Sequence, residues 1–280
     1  MDIYIYLKKR NTKIKIEIMF ITKQIYYNKK NKNKKTKKTK MEQIIESIEN
    51  MSITQPKKLL TEDTGKIFER AICLAYEIPY GGNYKYSMEM PEKLKLRLTK
   101  LVELFPKYSH TAQKGARYDF TSTTDETMHF SAKSTKKGVG KVAPQVIGQS
   151  QPKKFCEIIG IAYTTITELK KYIQTNILII LPVLVSYTFD CPNIYYNQTE
   201  NTIRLITLNK AIHWDKYNYK WTCPYNKWTN SSTLKVIIEK KELPLLEVQF
   251  HTKGRTNMAI RWFYENFLTI FNHNLSIIHM

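Results

Sequence analysis

The stretch RYDFTSTTDETMHFSAKSTKKG (117–138) decides how this chain is expected to fold. It holds two short runs in which apolar and polar residues alternate, separated by a polar turn at 124–126. Alternation with a period of two predicts strands that turn one face toward a core. A hairpin has to bring both apolar sets to the same face, because a one-residue slip would turn one strand outward. Pairing Phe120 with Phe130 meets that condition.

The same register predicts which polar side chains meet. It sets Asp119 across from Ser131, with Lys133 one step further along the same face. A carboxylate can hold Mg²⁺, which prefers oxygen ligands and keeps several waters, and a nearby ammonium can neutralise charge that develops on a phosphate. The cluster therefore suits metal-assisted hydrolysis of a phosphodiester. The alternative is an ordinary hairpin whose Asp and Lys form a weak surface ion pair.

A helix before the hairpin offers a second carboxylate. The apolar residues of TEDTGKIFERAICLAYEI (61–78) recur with helical spacing, which predicts an amphipathic helix. Glu69 lies at the border of the apolar stripe, where it could reach an ion. The ordinary interpretation is a surface acid that pairs with Lys66.

Basic and amide side chains follow the hairpin. The run STKKGVGK (134–141) is a cationic loop with two glycines, suited to a phosphate backbone. On a helix, Gln145 and Gln149 would share a face and could contact phosphates or base edges. The residues predicted here to bind nucleic acid are Lys136, Lys137, Lys141, Gln145 and Gln149.

Charge is spread unevenly along the 280 residues, whose formal net charge is +21. Residues 1–40 hold 14 of the 45 Lys and Arg but two of the 24 acids, and the run at 28–40 is a Lys/Asn repeat predicted to be disordered. This tail is either a nuclear address or polyanion-binding arm, or a segment that is not translated, with the true start at Met41 or Met51. The rest is still basic, which favours a polyanion partner.

The apolar segments predict a protein without a membrane partner. The start of the chain lacks the apolar centre and cleavage site of a signal peptide. The run ILIILPVLVSY (177–187) is too short to span a bilayer and is interrupted by Pro182, so we predict one or two buried strands. The four cysteines are far apart, without zinc-type spacing. We expect a soluble intracellular protein with free thiols, cytoplasmic or, if the tail is translated, nuclear.

The C-terminal third is predicted to be rich in β-structure. The segment HWDKYNYKWTCPYNKW (213–228) interleaves aromatic residues with lysines, which suits either a nucleic-acid surface or, as we favour, the filling of a core. A rival acid-x-polar motif occurs at Glu247-Val248-Gln249. It would need Asp190 or Asp215 as its first ligand.

A helix with Glu69, a strand with Asp119 and a hairpin strand with Ser131-Ala132-Lys133 resemble, in that order, the PD-(D/E)xK nuclease superfamily. The resemblance covers about residues 61–160. Two further segments, KVAPQVIGQSQPKKF (141–155) and EVQFHTKGRTNMAIRWFYENFL (247–268), are similar to segments of type II restriction endonucleases.

This resemblance implies an α/β fold of the restriction-endonuclease type: a central mixed β-sheet flanked by helices, with a β-rich C-terminal part. It also implies a Mg²⁺-dependent homodimer that cuts double-stranded DNA at specific sequences. Asp119 would be the main metal ligand, Glu69 an accessory ligand, and Lys133 the residue that positions or activates the attacking water. Ser131 stands where the family usually has an acid, and a neutral hydroxyl is a poorer ligand than a carboxylate.

The expected organisation is the basic tail at 1–40, a nuclease core at 41–186, and a part at 187–280 that completes the sheet and helps to recognise DNA. Three other functions stay open: a repair or recombination nuclease on the same core, a non-catalytic DNA-binding protein with a degraded site, and a structural protein with a basic surface. The predicted DNA-binding residues near the C-terminus are Lys253, Arg255 and Arg261.

Overall fold

The computed structural model describes residues 61–112, 116–251 and 256–280. The basic tail and two of the predicted DNA-binding residues, Lys253 and Arg255, lie outside these ranges. The α-helices are α1 (Thr61–Ala75), α2 (Glu89–Lys95), α3 (Thr99–Leu104), α4 (Pro152–Ile158), α5 (Ile166–Thr175), α6 (Ile177–Thr188) and α7 (Tyr264–Ile270), and single 3-10 turns span Ile147–Gln149, Trp214–Lys216, Tyr225–Lys227 and Asn272–Asn274.

Eleven strands in the described ranges form two sheets. The first has the order β1-β2-β3-β5-β6-β11 and is mixed, because β3 and β5 run parallel while its other neighbours are antiparallel. The second has the order β4-β10-β9-β8-β7 and is antiparallel. The strands are β1 (Tyr108–His110), β2 (Phe120–Ser122), β3 (His129–Thr135), β4 (Lys141–Val142), β5 (Asn193–Asn197), β6 (Thr202–Leu208), β7 (Asn218–Trp221), β8 (Ser231–Ile238), β9 (Lys241–Phe250), β10 (Met258–Phe263) and β11 (Leu275–His279).

The first sheet lies between two hydrophobic cores. On one face it packs against the predicted helix α1, whose buried side chains include Phe68 and Ile72, and against α2 and α3. On the other face it meets α4 to α7 and the second sheet. Strand β5 is buried along its whole length because Ile194 joins the first core and Tyr195 the second. The predicted α/β fold with a central mixed sheet and a β-rich C-terminal part is confirmed.

Helix α6 shows that the prediction of buried strands at 177–187 was wrong. Its buried side chains recur every three or four residues and form one stripe toward the core, while Pro182 lies on the exposed side. A short apolar run does not distinguish strand from helix by its periodicity, so packing decided the outcome. The buried residues are Ile177, Ile180, Leu181, Leu184, Val185 and Thr188.

In the described ranges no single helix is long and apolar enough to cross a membrane; α5 and α6 reach that length and composition only together, as a pair bent by 93°. The cysteines described are free.

Trp214 and Trp228, with 7% and 3% of their surfaces exposed, fill the second core, which confirms the core interpretation for these two aromatic residues.

Candidate active site

The hairpin of β2 and β3 has the predicted register. Phe120 pairs with Phe130, their rings stack with centroids 4.7 Å apart, and both are fully buried. Strand β2 begins at Phe120, so the N–H of Ala132 on β3 has no backbone partner there. The Asp119 carboxylate accepts this N–H through Oδ2 at 2.8 Å. Asp119 is thereby held beside the motif Ser131-Ala132-Lys133.

Ser131 is fully buried on the face of β3 that points away from Phe130. Its N–H donates to the carbonyl of Pro192 (2.9 Å), and its hydroxyl oxygen accepts a hydrogen bond from Nε2 of Gln145 (2.5 Å). The same amide donates to the Cys191 sulfur at 3.5 Å. Ser131 is therefore tied to two other segments of the chain.

Cys191 joins the hairpin cluster as a neutral group. Burial and, to a smaller extent, the negative charge of Asp190 raise the pKa of its thiol to about 12, so the thiol stays protonated at neutral pH. Asp119 and Lys133 are within electrostatic reach of this sulfur, and the Lys133 charge opposes the rise. Asp119, Ser131 and Lys133 thus lie on one hairpin, in the register that the alternation of the sequence predicted.

Glu69 lies on α1 and contacts β1 rather than Lys66. Its Oε2 is 3.6 Å from Nε2 of His110, whose side chain is 1% exposed. Nδ1 of His110 accepts the N–H of Gly81 at 2.9 Å, so the proton of a neutral ring is on Nε2 and faces the carboxylate. His110 pairs with Phe120, the residue after Asp119. Glu69 therefore reaches the hairpin through His110.

Arg117 and Asp190 form an ion pair that the sequence analysis missed. Nε and Nη2 of Arg117 both lie 2.8 Å from Oδ2 of Asp190, and the guanidinium packs over the rings of Tyr118 and Tyr187. The pair anchors the segment leading to Asp119 on the turn after α6. The position of Arg117, two residues before the candidate acid, was the available signal.

The rival motif on β9 has different surroundings. Glu247 accepts hydrogen bonds from Lys141 (2.8 Å) and Arg261 (2.6 Å), and Arg261 also donates to Gln249 (2.6 Å). Burial favours the neutral form, but the two cations hold the pKa of Glu247 below its usual value. Asp190, a first ligand that this motif would need, is paired instead with Arg117. Glu247 is thus a carboxylate of the second sheet whose charge is balanced by two cations.

The residues predicted to bind nucleic acid occupy several environments. Lys137 is exposed on the loop between β3 and β4, and Lys136 is partly buried there. Gln145 and Gln149 do not share a helical face: the segment is a tight turn followed by a 3-10 turn, which buries Gln145 and exposes Gln149. Lys141 and Arg261 are engaged with Glu247.

Groups of three or more His, Cys, Asp or Glu that could hold a metal ion do not occur within the described residues. The oxygen groups at the hairpin are instead one carboxylate, one hydroxyl and one amide, from Asp119, Ser131 and Gln145. Oδ1 of Asp119 makes no hydrogen bond within the described ranges, whereas Oδ2 is held by Ala132.

The chain is similar to the type II restriction enzyme CviAII of Paramecium bursaria Chlorella virus 1, with 44% identity over 222 residues. The match covers 78% of this chain, which spans 63% of the length of that relative. The resemblance to type II restriction endonucleases that the sequence indicated is thereby confirmed. No protein-family profile matches the chain. No solved structure matches it either.

Proposed function

We propose, for a chain related to a type II restriction enzyme, that this protein is a sequence-specific endonuclease that hydrolyses phosphodiester bonds of double-stranded DNA. The observation that carries the proposal is the hydrogen bond from Ala132 to Asp119, because it holds a carboxylate beside Ser131-Ala132-Lys133. A restriction-type cut needs an acid and a base or cation at one phosphate. The hairpin supplies both within one rigid unit.

The donor set at the hairpin fits a hard cation such as Mg²⁺. Asp119 would hold the ion through Oδ1, and the remaining positions suit water, since Mg²⁺ usually keeps several waters and takes one or two carboxylates from a protein. When bound, the ion would supply charge neutralisation at the scissile phosphate. With one carboxylate at the hairpin, a single ion fits better than two.

Each catalytic side chain then has a role. Asp119 would hold the cation beside the scissile phosphate, and the Lys133 ammonium positions the attacking water and offsets negative charge in the transition state. Ser131 donates or accepts a hydrogen bond at the position where related nucleases use an acid. Glu69 is an accessory group that acts through His110, or reaches the site when DNA is bound.

DNA would be held by basic side chains around the hairpin and in the C-terminal part. Lys136 and Lys137 border the site, and Lys253 and Arg255 are close in sequence to the end of β9. Lys141, Arg261 and Gln149 would contribute after local rearrangement or through water. We propose that residues 41–186 form the nuclease core and that 187–280 recognise the DNA sequence. We also propose that the chain forms a homodimer, in which each subunit would cut one strand. Light scattering with and without DNA measures this oligomeric state.

The test uses the purified full chain with Asp119→Ala and Lys133→Ala, incubated with unmethylated plasmids of varied sequence in Mg²⁺ or in chelator. Discrete fragments that need a divalent ion, Asp119 and Lys133 are expected. The control Lys93→Ala removes an exposed lysine paired with Glu89 on α2 and should cut normally. A smear would leave a nuclease without sequence specificity.

A second function is favoured by Ser131 in place of an acid: a DNA-binding protein that does not cut. In that case the plasmids stay intact in every metal, while the wild-type chain still shifts DNA in a gel. Lys133→Ala separates the two functions. An enzyme keeps its DNA affinity and loses cleavage, whereas a binding protein has no cleavage to lose.

A further inference from the structure

Gln145 is a buried amide at the candidate site. Its side chain and backbone together are 7% exposed. Nε2 donates to Oγ of Ser131 at 2.5 Å and to Sγ of Cys191 at 3.5 Å, and the backbone N–H donates to the carbonyl of Tyr187 at 3.0 Å. Two contacts thus fix this side chain, and a third fixes its backbone.

The backbone after Gln145 is strained in a way that serves this placement. Val146 has φ 57° and ψ −64°, and the N–H of Ile147 donates to the carbonyl of Gln145, so the three residues form a γ-turn with positive φ. This conformation is rare, and a β-branched residue is poorly suited to it. Strain of this kind persists where the surrounding structure imposes it, frequently at functional sites.

The following residue, Gly148, allows the segment to close on itself. A Cβ at this position would lie 2.9 Å from Cβ of Ala143 and 2.9 Å from Cδ of Pro144, closer than real contacts permit. The chain from 143 to 148 is therefore a compact turn whose geometry leaves little freedom for Gln145. Its side chain points toward Ser131.

The chemistry of a buried position explains why the pair is neutral. Ser131 is fully buried, and a carboxylate there would be costly unless several donors compensated for its lost water. A hydroxyl that accepts a hydrogen bond from an amide has its hydrogen-bonding need met at this site without carrying a charge. Because Nε2 of Gln145 donates, the Ser131 oxygen is the acceptor, and the hydroxyl proton is left for the neighbouring Cys191 sulfur.

We propose that Gln145 is a positioning residue of the nuclease site and that Gln145 and Ser131 act as one neutral unit in the place of an acid. The inference rests on the proposed function and deepens it. By holding the Ser131 oxygen, the Gln145 amide fixes the strand that carries Lys133 and the Ala132 N–H to which Asp119 is bonded. Gln145 itself is then no contact for base edges.

The main variant is Gln145→Met, which keeps the length and most of the volume of the side chain but removes the amide. The matched control is Gln174→Met, because Gln174 on α5 also donates through Nε2, to the carbonyl of Cys223 at 2.8 Å, and lies outside the site. Ser131→Ala and the double variant with Gln145→Met complete a cycle. For each chain we would measure single-turnover plasmid cleavage, DNA affinity in Ca²⁺, and the rise in melting temperature with added Mn²⁺.

For Gln145→Met we expect about a 10- to 100-fold slower cleavage step and a higher Mn²⁺ concentration for half of the thermal shift, as for other residues that orient a metal site. DNA affinity in Ca²⁺ should stay within about twofold, and Gln174→Met should match the wild type in all three measurements. Ser131→Ala should lose a similar factor. The double variant should lose no more than the worse single variant, because both act through one hydrogen bond.

Several results would overturn the inference. If the wild-type chain cleaves DNA and Gln145→Met cleaves it at the same rate, Gln145 has no positioning role, but the proposed endonuclease function still holds. Independent, multiplying losses in the double variant show that Gln145 does not act through Ser131. If Gln145→Met fails to fold, Ser131→Ala carries the test alone, and its wild-type rate and Mn²⁺ response overturn the proposal. A wild-type chain with neither cleavage nor a Mn²⁺ response overturns the proposed function and this inference together.

Discussion

Two acids on β-structure share the same local pattern in this molecule and have different surroundings. Asp119, just before β2, has one backbone N–H on Oδ2, with a lysine and neutral polar groups nearby. Glu247 on β9 is bonded to both Lys141 and Arg261. An acid with open coordination suits an exchangeable cation, whereas an acid bonded to two side-chain cations suits the joining of strands. The pattern alone does not distinguish them, and the partners do.

The largest effect that we expect is the loss of cleavage when Asp119 is replaced. Asp119→Asn keeps the shape of the side chain and removes the charge that would hold a cation, so we expect plasmid cleavage to fall on the order of 10³-fold. Glu247→Gln should change cleavage by less than about tenfold. Initial rates in Mg²⁺ measure both, and equal losses for the two variants would contradict the distinction drawn here.

The next effect is on stability and belongs to Glu247. Glu247→Gln leaves two cations without their charged acceptor in a largely buried site, which should lower the free energy of unfolding by about 1–3 kcal/mol. Asp119→Asn should cost less than this, since Asp119 is bonded to one N–H. Denaturant unfolding of the two variants at neutral pH gives the order.

The same pair predicts a pH dependence. The folded-state pKa of Glu247 lies below its ordinary value of 4.5, so its contribution to stability is fully present above that value and is lost as the pH falls through the folded pKa. The stability difference between the wild type and Glu247→Gln should therefore shrink in acid, below pH 4.5. A difference that grows as the pH falls would show that the assigned cause is wrong.

Arg117 offers a smaller test of how Asp119 is positioned. Arg117→Ala removes the ion pair with Asp190 and should slow cleavage about tenfold, as for residues that orient a metal ligand indirectly. Arg117→Lys keeps the charge but not the paired Nε and Nη2 contacts, and it should fall between the alanine variant and the wild type. Loss of DNA affinity with an unchanged cleavage step would instead assign Arg117 to DNA binding.

The smallest effect concerns Val146. Glycine adopts a positive φ freely, so Val146→Gly should relieve strain by more than it loses in chain entropy and raise the free energy of unfolding by about 1 kcal/mol. Thermal unfolding measures the change. Val183 on α6, which is partly buried and helical, is the matched position, because Val183→Gly should destabilise the chain by about the same amount.

Local patterns were informative where one face of an element is buried and the other is polar. The Phe120–Phe130 register followed from alternation, and α1 followed from helical spacing, because in both cases the core side repeats with the period of the element. They failed at 177–187, where apolar residues occupy every face of a short run, and they did not identify the partners of Gln145, where no period exists to detect. Both segments have a conformation that is set by contacts with distant residues.

By itself, the sequence determined that an acid and a lysine lie on one hairpin, that a helix precedes it, and that the C-terminal third is rich in β-structure. These follow from burial acting on neighbours along the chain. Only the tertiary structure decided that Glu247 forms an ion pair with Arg261, that Arg117 forms an ion pair with Asp190, and that Gln145 donates a hydrogen bond to Ser131. Each of these contacts joins residues at least 14 positions apart, and an electrostatic or hydrogen-bonding partner at such a distance leaves no period in the sequence.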